Sequence, residues 1–357
     1  MTEHPNRPAA DARVLIVRLS SIGDVIHAMP AFQAVREALP DAHIGWVVES
    51  AAAPLVRCIE GLDAVHEVDV QDWRRNLVRP RAWRHLFRSL RGVRATEYDV
   101  ALDLQGLLKS ALVSRFCARR TIGMARADLR EPAANLLYSA TAPAAREPVH
   151  VTERAIGVVK SFVPIEVAAP RWPALFADSR PSRDGRDSPS REAPVLLHTF
   201  ANWSSKAYPD QDWIAVAKAL HRETGRRVLW LWGPGEEARA RGLAAEAGSG
   251  SEPTPELKLP DLLALTEKAA LVVGGDSAPL HLAVACGTPV VALFGPTDPR
   301  RLGPLREADE VTVNRLECSH CHRRKCPLGT NECLESISPD EIVRAALARL
   351  SRTGQEH

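Results

Sequence analysis

The sequence lacks what several protein classes require. No apolar run among its 357 residues approaches the roughly 20 needed to cross a bilayer. The opening "MTEHPNRPAADAR" holds no signal-peptide core, so the expectation is a cytoplasmic protein. Cysteine is sparse: seven in a chain of this length do not make a disulfide scaffold, and four of them crowd into residues 318–333. No G-x-G-x-x-G follows an apolar strand, which argues against a dinucleotide oxidoreductase. No G-x-x-x-x-G-K-[ST] occurs either, which argues against a P-loop NTPase. Tyr98, Tyr138 and Tyr208 each lack a lysine four residues on, so the Tyr-x₃-Lys pair of nucleotide-sugar epimerases and dehydrogenases is missing.

What is present belongs to a water-soluble globular chain: 45% apolar and 25% charged residues, in a length that can bury two cores. Net charge is only +2 but unevenly spread, because residues 71–94 carry eight arginines against one aspartate. From Trp83 on, Trp83, Leu86, Phe87, Leu90 and Val93 share one helical face, and Arg84, Arg88, Arg91 and Arg94 lie away from it. Such a helix is either a solvated surface or a docking surface for an acidic partner such as phosphate, carboxylate or an anionic membrane face.

Strand-like runs alternate with helical patterns, which predicts parallel α/β layers. Strands are expected near 14–19, 43–49, 65–70 and 98–105, then at 194–200, 227–233, 271–276 and 289–295. Residues 176–194, rich in Ser, Arg, Asp and Pro, interrupt the pattern. The expected division is therefore a domain over 1–175, a linker over 176–193, a second domain over 194–335 and a closing helix and tail over 336–357. Ser338 as N-cap and Pro339 at the first helical position predict where that helix starts. Two such domains are expected to leave a cleft between the carboxyl ends of their sheets, where open α/β folds bind ligands.

The first strand leads into Ser20-Ser21-Ile22-Gly23-Asp24, a turn with one glycine and a carboxylate at the helix start. In the second half the turns are richer in donors. "GGDSAPLH" puts Asp276 and Ser277 before a helix with Ala278 in its first turn and His281 one turn on. Backbone N–H groups there, with the Ser277 hydroxyl, suit a pyrophosphate. Glu236 follows "WGPG", Thr297 and Asp298 end another strand within reach of a ribose or sugar, and Lys206 can supply a point charge to a leaving phosphate. Each piece alone has an ordinary reading as a cap, a core residue or a surface lysine. Their common position after successive strands of one domain favours a site.

These residues resemble glycosyltransferase family nine, the lipopolysaccharide heptosyltransferases. The resemblance is carried by "VLIVRLSSIGDVIHAMPAFQAVREALP", "DLQGLLKSALVSR", "REPAANLLY" and "GGDSAPLHLAVACGTPVVALFGPTDP", and spans about 13–348. The S-S-x-G-D turn with "DLQGLLKSA" and "REP" is most similar to the heptosyltransferase I branch; heptosyltransferase II or a transferase for another core or O-antigen sugar is the alternative. The resemblance implies a GT-B fold of two facing Rossmann-like domains, the first taking the acceptor and the second the nucleotide-sugar. It implies inverting, metal-independent transfer from ADP-L-glycero-β-D-manno-heptose (ADP-heptose) to the inner Kdo of Kdo₂-lipid A, with no cofactor required for catalysis and no nucleic-acid partner. The enzyme would sit peripherally on the cytoplasmic face of the inner membrane. Asp24 matches the general base, Lys206 the lysine near the donor phosphates, Glu236 the acid near the ribose, and Asp276 and His281 the pair beside the donor sugar and diphosphate. The loop "TFANWSSKAYP" is one residue longer than the family pattern and leaves Thr199, Ser204 and Ser205 as alternative phosphate donors. On the acceptor side the expected residues are Ser20, Ser21, Gly23, Gln105 and Arg115, with Arg74, Arg75 and Arg84 from the arginine-rich stretch. A non-catalytic nucleotide-binding module is the remaining alternative.

Cys318, Cys321, Cys326 and Cys333 read C-x₂-C-x₄-C-x₆-C, with His320 and His322 between them. Four thiolates at short spacing can close a tetrahedral Zn²⁺ site; reduced structural thiols and redox-labile pairs are the alternatives. The expectation is a structural clip rather than a catalytic centre.

Overall fold

A computed structural model of the chain describes residues 8–70, 80–145, 149–175 and 192–353. The chain divides into two compact units, Met1–Phe176 and Ala177–His357. The first is built on β1 (Arg13–Val17), β2 (His43–Val48), β3 (Ala64–Glu67), β4 (Tyr98–Asp103), β5 (Ala118–Gly123) and β6 (Ala140–Thr141). The second uses β7 (Val195–His198), β8 (Val228–Leu231), β9 (Ser251–Pro253), β10 (Leu271–Gly275), β11 (Val290–Phe294) and β12 (Glu310–Val313).

Both sheets are wholly parallel among the described residues, in the orders β3-β2-β1-β4-β5-β6 and β12-β11-β10-β7-β8-β9. Counted within each unit, both read 3-2-1-4-5-6, the doubly wound order of Rossmann-type folds. Helices on both faces explain the sequence of the central strands. Val14 to Val17 and Leu271 to Val273 are fully buried, so they read as continuous apolar runs rather than alternating ones.

The order reverses between β1 and β4 and between β7 and β10. At such a point the chain leaves adjacent strands in opposite directions and opens a crevice at their carboxyl ends. Asp24 follows β1, Gln105 follows β4, Thr199 and Lys206 follow β7, and Asp276 follows β10. The topology thus delivers the sequence-selected residues to the two switch points.

The expected linker at 176–193 lies almost wholly outside the described residues, as do Arg74 and Arg75. The helix Pro80–Arg94 buries Leu86, Leu90 and Val93, while Arg84, Arg88, Arg91 and Arg94 are exposed. Phe87 departs from the expected face and is exposed. The helix Pro339–Thr353 belongs to the core of the second unit through Ile342, Val343 and Ala346. Its start is fixed by Ser338, whose N–H and hydroxyl both donate to Glu341 at 2.8 and 2.9 Å.

Candidate active site

In the first unit Asp24 lies in the opening turn of the helix Ile22–Ala38. Its Oδ2 accepts the Ser21 N–H at 3.1 Å and the Ser21 hydroxyl at 3.0 Å, and its Oδ1 faces the Arg18 guanidinium at 2.6 Å. Burial raises the carboxyl's pKa, but Arg18 and the Ser21 hydrogen bonds outweigh it and hold the group below the ordinary carboxylate range. Its side chain keeps 38% of its surface open, so three donors fix the carboxylate without covering it.

Arg18 has its own support. It also donates to the Leu104 carbonyl, and Gln105 Oε1 accepts the Leu19 N–H at 2.9 Å. The turn after β4 is held by Asp103, fully buried, which accepts the N–H groups of Gln105 and Gly106 at 2.9 and 3.1 Å and the hydroxyls of Ser110 and Tyr138 at 2.9 Å each. Burial raises the Asp103 pKa. Lys109 pairs with Glu49 at 3.2 Å and lies 3.5 Å from the Ser20 hydroxyl. The "DLQGLLKS" stretch is therefore a buttress for the Asp24 turn. Gln105 spends its side-chain oxygen on the backbone of Leu19 and does not hold it free for an acceptor. Arg115 is exposed on the helix Leu108–Cys117, and Ser20, Ile22 and Gly23 are half-buried.

In the second unit Asp276 is the hub. Its Oδ2 takes Lys206 Nζ at 2.6 Å and its Oδ1 meets His281 Nε2 at 2.9 Å; Lys206 also reaches the Asp276 carbonyl at 3.3 Å. Burial raises the Asp276 pKa, yet His281 and Lys206 together drive it well below the usual range. Lys206 lies over the Trp203 ring, 4.5 Å from its centre, which confines the ammonium from a second side. A small pocket opens here, bordered by His198, Thr199, Lys206, Gly275, Asp276 and Ser277 among others.

The hydroxyls of Thr199, Ser277 and Thr297 are buried and have no hydrogen-bond partner. These three follow β7, β10 and β11, so each is placed to donate to an acceptor bound at the carboxyl ends of those strands. Ser277 is also the N-cap of the helix Ala278–Cys286, whose first N–H groups have no acceptor within the helix. Gly274 is required by the fold itself, because a Cβ there would stand 2.8 Å from the His198 carbonyl oxygen.

Ser204, Ser205, Asp298 and Glu236 make contacts within the chain as well. The Ser205 hydroxyl is spent on the Arg323 carbonyl at 2.6 Å, and Ser204 on the Arg324 carbonyl at 3.3 Å, which leaves Thr199 as the open hydroxyl of that loop. The Asp298 carboxylate is occupied by Arg300, with contacts of 2.7 to 3.1 Å including the Arg300 N–H, so it acts as a helix cap. Glu236 stands at the N-cap position of the helix Glu237–Ala247, and its Oε2 accepts the Gly233 N–H at 2.8 Å. The only closely spaced aspartate pair of this unit's first helix, Asp210 and Asp212, opens Asp210–Thr224, with Asp210 tied to Arg239.

His198 was not selected from the sequence. It ends β7, and burial pulls its pKa down to about 4, so the imidazole facing the pocket is neutral. A histidine closing an otherwise apolar buried strand was the available signal. The four clustered cysteines are free thiols bordering a second pocket, and burial together with the neighbouring Cys318, Cys321 and Cys326 pushes the Cys333 thiol up to about 11. Among the described residues no three His, Cys, Asp or Glu side chains stand together closely enough to grip a metal ion.

Residues 83–331 match glycosyltransferase family 9 (heptosyltransferase). The chain is 30% identical over 319 residues to lipopolysaccharide heptosyltransferase 1 of Pseudomonas aeruginosa, covering 88% of this chain and 87% of that one. It is 32% identical over 295 residues to lipopolysaccharide heptosyltransferase 1 of Salmonella typhimurium, covering 82% and 90%. The solved E. coli heptosyltransferase WaaC with ADP-2-deoxy-2-fluoro heptose superposes with a TM-score of 0.73 at 25% identity, covering 93% of this chain and 98% of that one. Two doubly wound units of this kind are the GT-B fold. The chain belongs to glycosyltransferase family 9, the heptosyltransferases.

Proposed function

We propose that the protein transfers heptose from ADP-L-glycero-β-D-manno-heptose to the inner Kdo of Kdo₂-lipid A, with inversion at the anomeric carbon. The single observation that carries this reading is the division of chemistry between the units: an open, pre-ionised carboxylate in the first, and a cation with unpaired buried hydroxyls in the second. The solved relative bound to a fluorinated ADP-heptose supports the donor, and the lipopolysaccharide heptosyltransferase 1 relatives support a lipopolysaccharide acceptor.

Asp24 is the proposed base. Arg18 and Ser21 keep it ionised but also make it a weak base, so it cannot remove a sugar hydroxyl proton in advance. It accepts that proton while the new C–O bond forms and the diphosphate leaves from the opposite face of the sugar. Assistance of this kind is worth about 10²–10⁴ in rate. The same anion steadies positive charge on the ring. Lys206, the hydroxyls of Thr199, Ser277 and Thr297, and the N–H groups opening Ala278–Cys286 meet the charge growing on ADP. Asp276 aims Lys206 and His281, and Glu236 keeps one oxygen for the ribose. The exposed Arg84, Arg88, Arg91 and Arg94 meet the carboxylates of Kdo and the phosphates of lipid A at an anionic membrane face. That face is the cytoplasmic side of the inner membrane, where the protein attaches peripherally; no described helix is long and apolar enough to cross a membrane.

Incubating the protein with Kdo₂-lipid A and ADP-heptose should give a mass gain of one heptose on the acceptor. Gain only with another nucleotide-sugar, or none with a full panel, would overturn the assignment.

A further inference from the structure

Residues 320–324 are pinned across the carboxyl ends of the second sheet. At one end the His320 and His322 N–H groups donate to the Gly295 and Pro296 carbonyls, in the turn after β11, at 3.0 and 2.7 Å. At the other, in the loop after β7, the Arg323 carbonyl accepts the Ser205 hydroxyl at 2.6 Å. The Arg324 carbonyl accepts the Ser205 N–H and the Ser204 hydroxyl there, at 3.3 Å each. β10 lies between β11 and β7 in the sheet, so the segment crosses the carboxyl end of β10, where Asp276 and Ser277 follow. His320 and His322 hold left-handed backbone, at φ +63° and +54°, a conformation uncommon outside glycine that the pins on either side sustain.

The pins use backbone atoms of the segment and leave its cationic side chains uncommitted. Among the described residues the Arg324 guanidinium makes no hydrogen bond and no ion pair. It lies 5.7 Å from the centre of the Trp203 ring, and Lys206 Nζ lies 4.5 Å from the centre of the same ring. One indole thus gathers two cations beside the pocket that Thr199, Lys206 and Ser277 border.

Lys206 alone brings little net charge to an anion, because Asp276 already holds it at 2.6 Å. Arg300 is held by Asp298 and Arg239 by Asp210, so neither guanidinium is open to a ligand. A diphosphate that gains charge as it leaves is best met by a cation that is not neutralised in advance. Arg324 is such a cation. Its planar fork matches two phosphate oxygens, and the ring against it restricts its motion before the ligand arrives.

We propose that Arg324 binds the diphosphate of the sugar nucleotide together with Lys206, and that Trp203 holds both cations at that site. The proposal rests on the reading of the second unit as the donor site.

The test is calorimetric ADP binding to the full chain at about 0.05 and about 0.3 M salt, for the wild type and for Arg324→Gln, Arg324→Met and Arg324→Lys. Arg324 is exposed, and thermal unfolding of all three variants is expected to match the wild type. Arg324→Gln and Arg324→Met should each weaken ADP binding about 10-fold and flatten its salt dependence. Arg324→Lys should fall between, because it keeps the charge and loses the fork. Arg324→Met retains a long apolar stem against Trp203, so wild-type affinity in that variant would reduce the residue to a packing role and overturn the proposal. Unchanged affinity in Arg324→Gln, or weakening with an unchanged salt dependence, would overturn it too and leave the donor reading in place. A wild-type protein that binds no ADP would overturn the donor reading itself, and this proposal with it.

Discussion

At the scale of single residues the decisive feature is an anion held ionised without being covered. Asp24→Asn keeps the size of the side chain and removes the proton acceptor. It should lower kcat about 10²–10⁴-fold while leaving ADP affinity unchanged, as read by steady-state kinetics and calorimetry. Near-normal kcat would end the base assignment. Arg18 sets where that base titrates. With Arg18→Gln the burial contribution remains and the main lowering contribution goes, so the folded-state pKa of Asp24 rises and the acid limb of the kcat profile should move to higher pH. The sign for stability follows the same shift. A lowered folded pKa contributes stability that is present above the unfolded value of about 3.9 and is lost as pH falls through the folded value. Asp276, lowered by His281 and Lys206, contributes in the same direction. Ser277 gives the converse test. Its buried hydroxyl has no partner within the chain, so Ser277→Ala should leave the unfolding free energy of the unliganded protein unchanged or higher, by up to about 1–3 kcal/mol, yet weaken ADP binding about 10-fold. A large loss of stability with unchanged ADP affinity would make it a packing residue instead.

At the scale of elements, strands and the turns after them were legible, and the reason is physical. Central strands buried on both faces must be apolar from end to end, and the crevice of a doubly wound sheet lies at their carboxyl ends. The Asp24 turn, the Asp276 turn and the Lys206 loop therefore stood out. β5 and the edge strands β6, β9 and β12 did not. "ARRTIG" carries two exposed arginines and "SEP" is three residues long, so neither shows an apolar run. Partnerships across the fold were equally hidden. Nothing local in "DLQGLLKS" says that Gln105 holds Leu19 or that Leu104 receives Arg18; those contacts join residues 86 apart. Asp298 was hidden in the same way: nothing in the spacing says that Arg300, two residues on, pairs with its carboxylate.

At the scale of the whole molecule, the account assigns one substrate to each unit and expects the two to respond differently to their surroundings. Arg84, Arg88, Arg91 and Arg94 of the helix Pro80–Arg94 are exposed, so their contacts with an anionic acceptor are open to screening. Raising ionic strength from about 0.05 to about 0.3 M should raise the KM for Kdo₂-lipid A more than that for ADP-heptose. Equal responses would remove the arginines from acceptor binding. The central claim, however, is where the diphosphate sits. A crystal structure of the protein with ADP tests it most directly. The phosphates are expected beside Lys206, Gly275 and Ser277, with Thr199 or Thr297 donating to them; phosphates lodged instead against Ser20, Ser21 and Asp24 would contradict the account.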